Sequence, residues 1–310
     1  MAVTGDGVND SPALKQADIG IAMGLQGSEV AKDAADVILM DDNFASIVTG
    51  IKEGRLVFDN LKKTIGYTLT HLCPEILPVL LTLAIGLPAG LTTLQILSID
   101  LFTELAPAIS LAYEPAERGI MQRGPRNIKE NRLVSTTLLS YAYLQAGVLE
   151  AIACLLAYTW VFLHNGLQLS DIVLTDDRFA ENGEPFEANG RVYSFEEQTA
   201  ILREARAAWY LTLVVGQLFH LINMKSTKSS IFSHSWHNTV TYFALALSLS
   251  LAIIFVYVPD LNTFLGAAPV GVEGWVPPVV LGMVLLVFNE YRAWLARNRP
   301  TAKVTRYLDW

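Results

Sequence analysis

Two consecutive apolar stretches carry acids at their middles, and this limits what the chain can fold into more than any other feature. IGYTLTHLCPEILPVLLTLAIG begins at Ile65 and LTTLQILSIDLFTELAPAISLAY at Leu91, and each is long enough to cross a bilayer as a helix. Glu75 lies mid-span in the first, Asp100 and Glu104 in the second. An ionised carboxylate at that depth is costly unless it faces a polar cavity, an ion or a partner. Helical spacing puts Asp100 and Glu104 on one face, and Thr68, His71 and Glu75 on another. Pro74, Pro78 and Pro107 cannot donate to the carbonyls of Thr70, Pro74 and Thr103, which lose their helical partners. Carboxylates beside freed carbonyls are the oxygen-rich surroundings that a hard cation takes. The competing reading, protonated acids hydrogen-bonded within a helix bundle, suits a single acid better than three acids with three prolines.

The chain has 310 residues, 52% of them hydrophobic and 17% charged, with a mean hydropathy of +0.37. That is too apolar for a soluble domain and too long for one core, so it reads as a multispanning protein embedded in a lipid bilayer. The net charge of −8 argues against a nucleic-acid partner. Both cysteines, Cys73 and Cys154, fall in apolar stretches and read as packing residues rather than a disulfide or thiolate site. Residues 1–20 lack the basic start and apolar core of a signal peptide, so the first span must act as the insertion signal.

Residues 1–45 alternate as an α/β unit. MAVTGDG, IGIAMG and DVILM are strand-like, with helical SPALKQA and SEVAKDAA between them. Three short strands cannot bury an independent core, so the rest of that domain is expected upstream of Met1. Residues 46–64 read as a stalk helix, with Lys62 and Lys63 at the membrane interface. Six spans follow, at about 65–87, 91–113, 137–162, 207–224, 240–258 and 275–295, within a transmembrane domain of 65–296 and ahead of a tail at 297–310.

Basic residues orient these spans. Arg118, Arg123, Arg126, Lys129 and Arg132 lie between spans two and three, Lys225 and Lys228 between four and five, and Arg292, Arg297, Arg299, Lys303 and Arg306 at the end. The alternate loops carry no positive residue at 87–90 or 259–274, and four arginines outnumbered by acids at 164–206. Both ends are therefore expected to be cytoplasmic.

TGDGVNDSPALK, Thr4 to Lys15, follows a strand and precedes a helix. It presents Asp6 and Asp10 from a glycine-bearing loop at a strand's C-terminal end, where α/β sheets place phosphate and Mg²⁺ chemistry. This stretch resembles the hinge motif of P-type cation ATPases, and the resemblance continues through DDNFASIVTGIKEGRLVFDNLKK, YTLT with Pro74-Glu75, IDL.TEL.PAISLAYE and PRN...RLV. It is strongest over residues 4–126, and the catalytic alpha subunits of the sodium/potassium and proton/potassium pumps are the nearest in pattern.

The resemblance implies a mostly α fold: helices five to ten of a P-type pump as a six-helix transmembrane bundle, preceded by a partial α/β, HAD-like segment. Residues 1–45 would be the C-terminal part of the phosphorylation domain. Asp6 and Asp10 would serve Mg²⁺, with Gly7 and Asn9 supporting the loop. Thr68, His71, Glu75, Asp100, Thr103, Glu104 and Gln217 would be the ion-binding residues, with K⁺ and either Na⁺ or H⁺ as transported ions. An accessory beta subunit would bind through 164–206, and the setting would be the plasma membrane.

The family's phosphorylated aspartate motif, DKTGT, does not occur in the sequence, nor do the nucleotide-binding and actuator domains or four further spans. Phosphoryl transfer needs nucleophile and nucleotide positioned together, so these residues alone are not expected to hydrolyse ATP. Met1 is read either as the start of a fragment or incomplete gene model, or as the start of a true short product without pump activity. A non-pumping membrane scaffold or regulatory subunit derived from such a pump is the alternative function. A stand-alone phosphatase is excluded by the absent nucleophile and its strand.

Several positions depart from the family pattern. His71-Leu72 replaces a polar Ser-Asn pair, and the proton/potassium pump carries a lysine at the His71 position. Glu104 stands for an aspartate, His220 for another aspartate, and Leu247 and Ser248 for two glutamates, so the third-site positions are altered. Glu150 stands for a glutamine, as a compensating ligand or a misplaced acid. Around the expected beta-subunit contact, Ala188-Asn189-Gly190-Arg191 retains only the glycine of SYGQ.

Overall fold

The computed structural model describes residues 1–127, 131–175, 178–179, 183–227, 229–233, 236–299 and 301–308; Lys129 and Lys228, both used above to orient the spans, lie outside them. Among the described residues six helices are long and apolar enough to cross a membrane, as the sequence predicts. They are α3 (Phe44–Ile85), α4 (Thr93–Tyr113), α5 (Thr136–His164), α6 (Phe195–Met224), α7 (Thr239–Tyr257) and α8 (Val272–Asn298). The expected stalk and first span are one continuous helix, α3, and α6 begins at Phe195 rather than near Ala207. The chain divides into two compact units, 1–58 with 119–124, and 59–118 with 125–310.

The first unit holds a three-stranded parallel sheet, β1 (Ala2–Gly5), β2 (Ile19–Met23) and β3 (Val37–Leu39), in that order. Helices α1 (Ser11–Gln16) and α2 (Glu29–Ala34) make the crossovers. The apolar residues are too few for more than a small core: Leu14, Ala22 and Ala31 on one side, and Ile21, Met23 and Leu39 with Ile47 on the other. Asp42 ties the end of β2 down by accepting from the backbone N–H groups of Gly24, Leu25 and Gln26, and these bonds hold its carboxyl below the usual range.

In the second unit α6 is the central helix, buried along most of its apolar length. Small residues let its neighbours approach: Gly216 faces Leu281, and Gly282 of α8 faces Phe219, at distances where an added Cβ would collide. The 164–206 segment forms a hairpin of β4 (Phe186–Ala188) and β5 (Arg191–Tyr193), turned by Asn189 and Gly190 at φ of 52° and 76°. Asn-Gly is the strongest short hairpin signal in a sequence. The aromatic face of that hairpin stacks Phe186 on Tyr193 and packs into the bundle core.

At one end of the bundle two buried ion pairs join the helices. Lys63 lies 2.9 Å from Glu117, and Lys225 lies 2.9 Å from Glu114, all four side chains almost fully covered. Lys63, expected at the depth of the membrane interface, is packed inside the bundle. Its Nζ also donates to the Lys225 carbonyl, while Asn238, the N-cap of α7, donates to Glu114.

Candidate cation site

The prolines build the site. Pro78 frees the Pro74 carbonyl, which accepts instead from the indole Nε1 of Trp209 on α6 at 3.0 Å. Pro107 removes a donor from α4, and the helix widens into a π-helical turn over Ile99–Thr103, closed by Glu104 N–H donating to the Ile99 carbonyl at 2.9 Å. The Thr103 carbonyl, freed by Pro107, accepts from Ser248 Oγ of α7 at 2.6 Å. Two of the three carbonyls expected to offer oxygen to an ion are thus held by protein donors.

The turn separates the two acids of α4. Asp100 is 46% exposed along its side chain, whereas Glu104 is buried. Asp100 turns towards α3: His71 Nε2 lies 3.3 Å from Asp100 Oδ1 and 3.7 Å from Glu75 Oε2. One ligand atom from each of His71, Glu75 and Asp100 falls within 4.8 Å of the others, the one such cluster among the described residues. His71 Nδ1 and Glu75 Oε1 are buried without a hydrogen-bond partner among the described residues. Thr68 and Thr103 donate their hydroxyls to backbone carbonyls a turn back, which leaves only their oxygen lone pairs for an ion.

Glu104 has other company. A second buried group gathers Tyr67, Glu104, Glu150, Gln217 and His220. Gln217 Nε2 donates to Glu150 Oε2 at 2.6 Å, so the acid that the sequence left open is partnered by the amide expected as an ion ligand. His220 stacks between Tyr67 and Tyr141, with ring centroids 6.0 and 5.8 Å away, and Arg292 of α8 lies 5.1 Å over the far ring. Both His220 ring nitrogens lack a hydrogen-bond partner among the described residues. Leu247 contributes no oxygen, and Ser248 is turned to Thr103. Sequence reasoning missed Tyr67, Tyr141, Trp209 and Arg292; Tyr67 alone had a signal, one helical turn before His71 on the same face.

In the first unit, Asp10 Oδ2 accepts from the backbone N–H groups of Asp6 and Gly7 at 3.1 and 2.9 Å, so it acts as the anchor of the loop. Gly5 is required beneath it, since a Cβ there would sit 2.6 Å from Asp10 Cβ. Asp6 and Asn9 are exposed at the end of β1.

Comparison with known proteins decides the family. Residues 88–295 match the model for the cation transporting ATPase C-terminus. The chain belongs to the cation transporting ATPase family. Its relatives include the human sodium/potassium-transporting ATPase subunit alpha-4, 43% identical over 310 residues that make up 99% of this chain and 30% of the relative. The alpha subunit of the sodium/potassium-transporting ATPase of Hydra vulgaris is 44% identical over 302 residues, 97% of this chain and 29% of its own length. Subunit alpha-1 of Oreochromis mossambicus is 43% identical over 304 residues, 97% of this chain and 30% of that protein. The chain therefore spans about 30% of the length of these relatives. With its six apolar helices, this member of the family is a multi-pass membrane protein.

Proposed function

We propose that this chain supplies the intramembrane ion sites of an ATP-driven monovalent-cation pump at the plasma membrane, with both its ends on the cytoplasmic side. The observation that carries the reading is the convergence of His71, Glu75 and Asp100 within 4.8 Å, with buried polar atoms unpartnered among the described residues. Glu75 and Asp100 are the principal ligands, Thr68 and Thr103 lend lone pairs, and Glu104 and Gln217 act from the adjoining buried group. The uncovered side of Asp100 is where further spans, expected from the pump resemblance, would close the site.

Residues 1–45 are read as the C-terminal part of a HAD-like phosphorylation domain. Asp6 would hold Mg²⁺, which neutralises phosphate charge, and Asp10, Gly7 and Asn9 keep its loop in shape. One exposed carboxylate does not complete an octahedral site. Nucleotide and phosphorylated aspartate are expected from the remaining pump domains, and an accessory beta-type subunit is expected to contact the 164–206 hairpin.

Transport is expected to approach electroneutral exchange. At the altered third-site positions His220 is enclosed by aromatic rings, Leu247 is apolar, and Ser248 is engaged by the Thr103 carbonyl. None offers a carboxylate: Leu247 has no side-chain oxygen, Ser248 has only the lone pairs of a hydroxyl that donates to the Thr103 carbonyl, and neutral imidazole suits alkali ions poorly. His71 could serve as an internal positive charge when a shared site is empty.

The test uses an assembled pump containing this region. Asp100→Asn should nearly abolish cation-dependent turnover, and Glu75→Gln should weaken cation affinity. Unchanged turnover and affinity in both would refute the assignment of these carboxylates as ion ligands, and a wild-type assembly without cation-dependent turnover would favour the non-pumping scaffold. Pump current measured with isotope flux should show less net charge per cycle than the sodium/potassium pump moves, and His220→Asp should raise it.

A further inference from the structure

One ligand in the cluster is out of place for alkali ions. His71 contributes an imidazole nitrogen, which borderline divalent ions such as Zn²⁺ and Co²⁺ prefer and which K⁺ or Na⁺ does not need. Zn²⁺ bound at about 2.0–2.1 Å from N and O ligands spaces them about 3.3–3.5 Å apart at the edges of a tetrahedron. Of the three edges, that from His71 Nε2 to Asp100 Oδ1, 3.3 Å, falls in that range, that to Glu75 Oε2, 3.7 Å, is a few tenths longer, and all three ligand atoms lie within 4.8 Å, so small side-chain shifts would close the site. Glu75 Oε1 and His71 Nδ1 are buried and find no hydrogen-bond partner among the described residues, so both side chains are held there with hydrogen-bonding capacity unfilled. The half-open side chain of Asp100 leaves a way in and room for a water as fourth ligand.

We propose that His71, Glu75 and Asp100 form a three-ligand site for a divalent transition ion, Zn²⁺ above all, which competes with the monovalent cation by occupying its ligands. The proposal rests on the reading of Glu75 and Asp100 as cation ligands and adds a second, inhibitory class of ion to it. Ca²⁺ and Mg²⁺ are disfavoured, because they call for six or more oxygens and this cluster offers a nitrogen and two carboxylates. Among the described residues His71 Nδ1 has no acceptor to orient the ring. Binding should therefore be about 10–100-fold weaker than at a fully supported His–carboxylate site.

The experiment titrates the full chain, reconstituted in lipid nanodiscs, with Co²⁺ as a spectroscopic probe. One equivalent should bring up the visible ligand-field band of four-coordinate Co²⁺, and Zn²⁺ should bleach it. His71→Asn should weaken Co²⁺ binding at least tenfold, and Asp100→Asn, at a half-exposed position that tolerates change, should do the same independently. No band, or a band with unchanged affinity in both variants, overturns the proposal. Tl⁺ binding and K⁺ competition are measured on the same sample. Tl⁺ bound without a Co²⁺ band defeats the metal site alone. A His71-dependent Co²⁺ band that K⁺ does not displace keeps the metal site and defeats the monovalent-cation reading of these ligands.

Discussion

The pair Lys63–Glu117 offers the most quantitative test of how this bundle is held together. Lys63 Nζ sits 2.9 Å from Glu117 Oε1 and 2.8 Å from the Lys225 carbonyl, and Glu117 Oε1 also accepts from Thr227 N and Oγ1 at 2.9 and 3.1 Å. Glu117→Gln removes the counter-charge and leaves a buried ammonium with one carbonyl, at a cost of about 3–5 kcal/mol. Lys63→Met should cost less, because Thr227 still donates twice to the carboxylate. The double variant should be milder than the sum of the two by more than about 1 kcal/mol, since neither charge is then stranded.

Acidity gives an independent estimate. Burial pushes the Glu117 carboxyl up, but Lys63 and the two Thr227 donors outweigh it and hold the pKa at about 2. Against an unfolded value of about 4.3, that depression is worth about 3 kcal/mol, in line with the truncation cost. The folded pKa is lowered, so this contribution is fully present above about pH 4.3 and is lost as pH falls through about 2. Unfolding of the full chain in mixed detergent–SDS micelles, followed by tryptophan fluorescence, measures all four corners of the cycle. Additivity within about 0.5 kcal/mol, or the same acid dependence between pH 4 and pH 2 in wild type and Glu117→Gln, would refute the reasoning.

Four further outcomes are expected. Trp209→Phe strands the Pro74 carbonyl and should cost about 1–3 kcal/mol in the same unfolding assay. Gln217→Leu removes the donor to buried Glu150 and should destabilise by a similar amount, relieved when Glu150→Gln is added. Gly5→Ala drives a Cβ into Asp10 and should cost about 1–3 kcal/mol, read as faster hydrogen exchange confined to the Thr4–Asp10 loop. For topology, cysteine at Asn189 should label from outside and at Asn127 from inside; the reverse pattern would overturn the orientation drawn from the basic loops.

The number and order of spanning helices were legible because apolar length is a one-dimensional signal. The alternation that marked three strands and two crossover helices was legible for the same reason. The site was legible only residue by residue. Helical spacing placed His71 with Glu75 correctly, but it also put Asp100 and Glu104 in one environment, and the π-helical turn sends one outward and buries the other. At the end of that turn the Thr103 carbonyl, freed by Pro107, is taken up by Ser248, a contact 145 residues apart in the chain, and no local pattern contains it.

The prolines show why the ion-site reading needed the fold. From the sequence each freed carbonyl is a spare oxygen for a cation. In the bundle, Trp209 reaches the Pro74 carbonyl and Ser248 reaches the Thr103 carbonyl, so the same breaks in hydrogen bonding become cross-links between α3 and α6 and between α4 and α7. Ser248 stands where the pump pattern carries a glutamate, and a glutamate carboxylate could not donate to that carbonyl while ionised. On the proposed pump reading, a serine in place of the acid would do two things together: withhold a ligand from the third site and, through its bond to the Thr103 carbonyl, close a gap left by Pro107. Ser248→Ala separates them, since it removes the cross-link and restores no ligand. A loss of about 1–3 kcal/mol in stability with unchanged charge per cycle is the expected result; increased charge per cycle would show that the serine, and not the missing carboxylate, sets the stoichiometry.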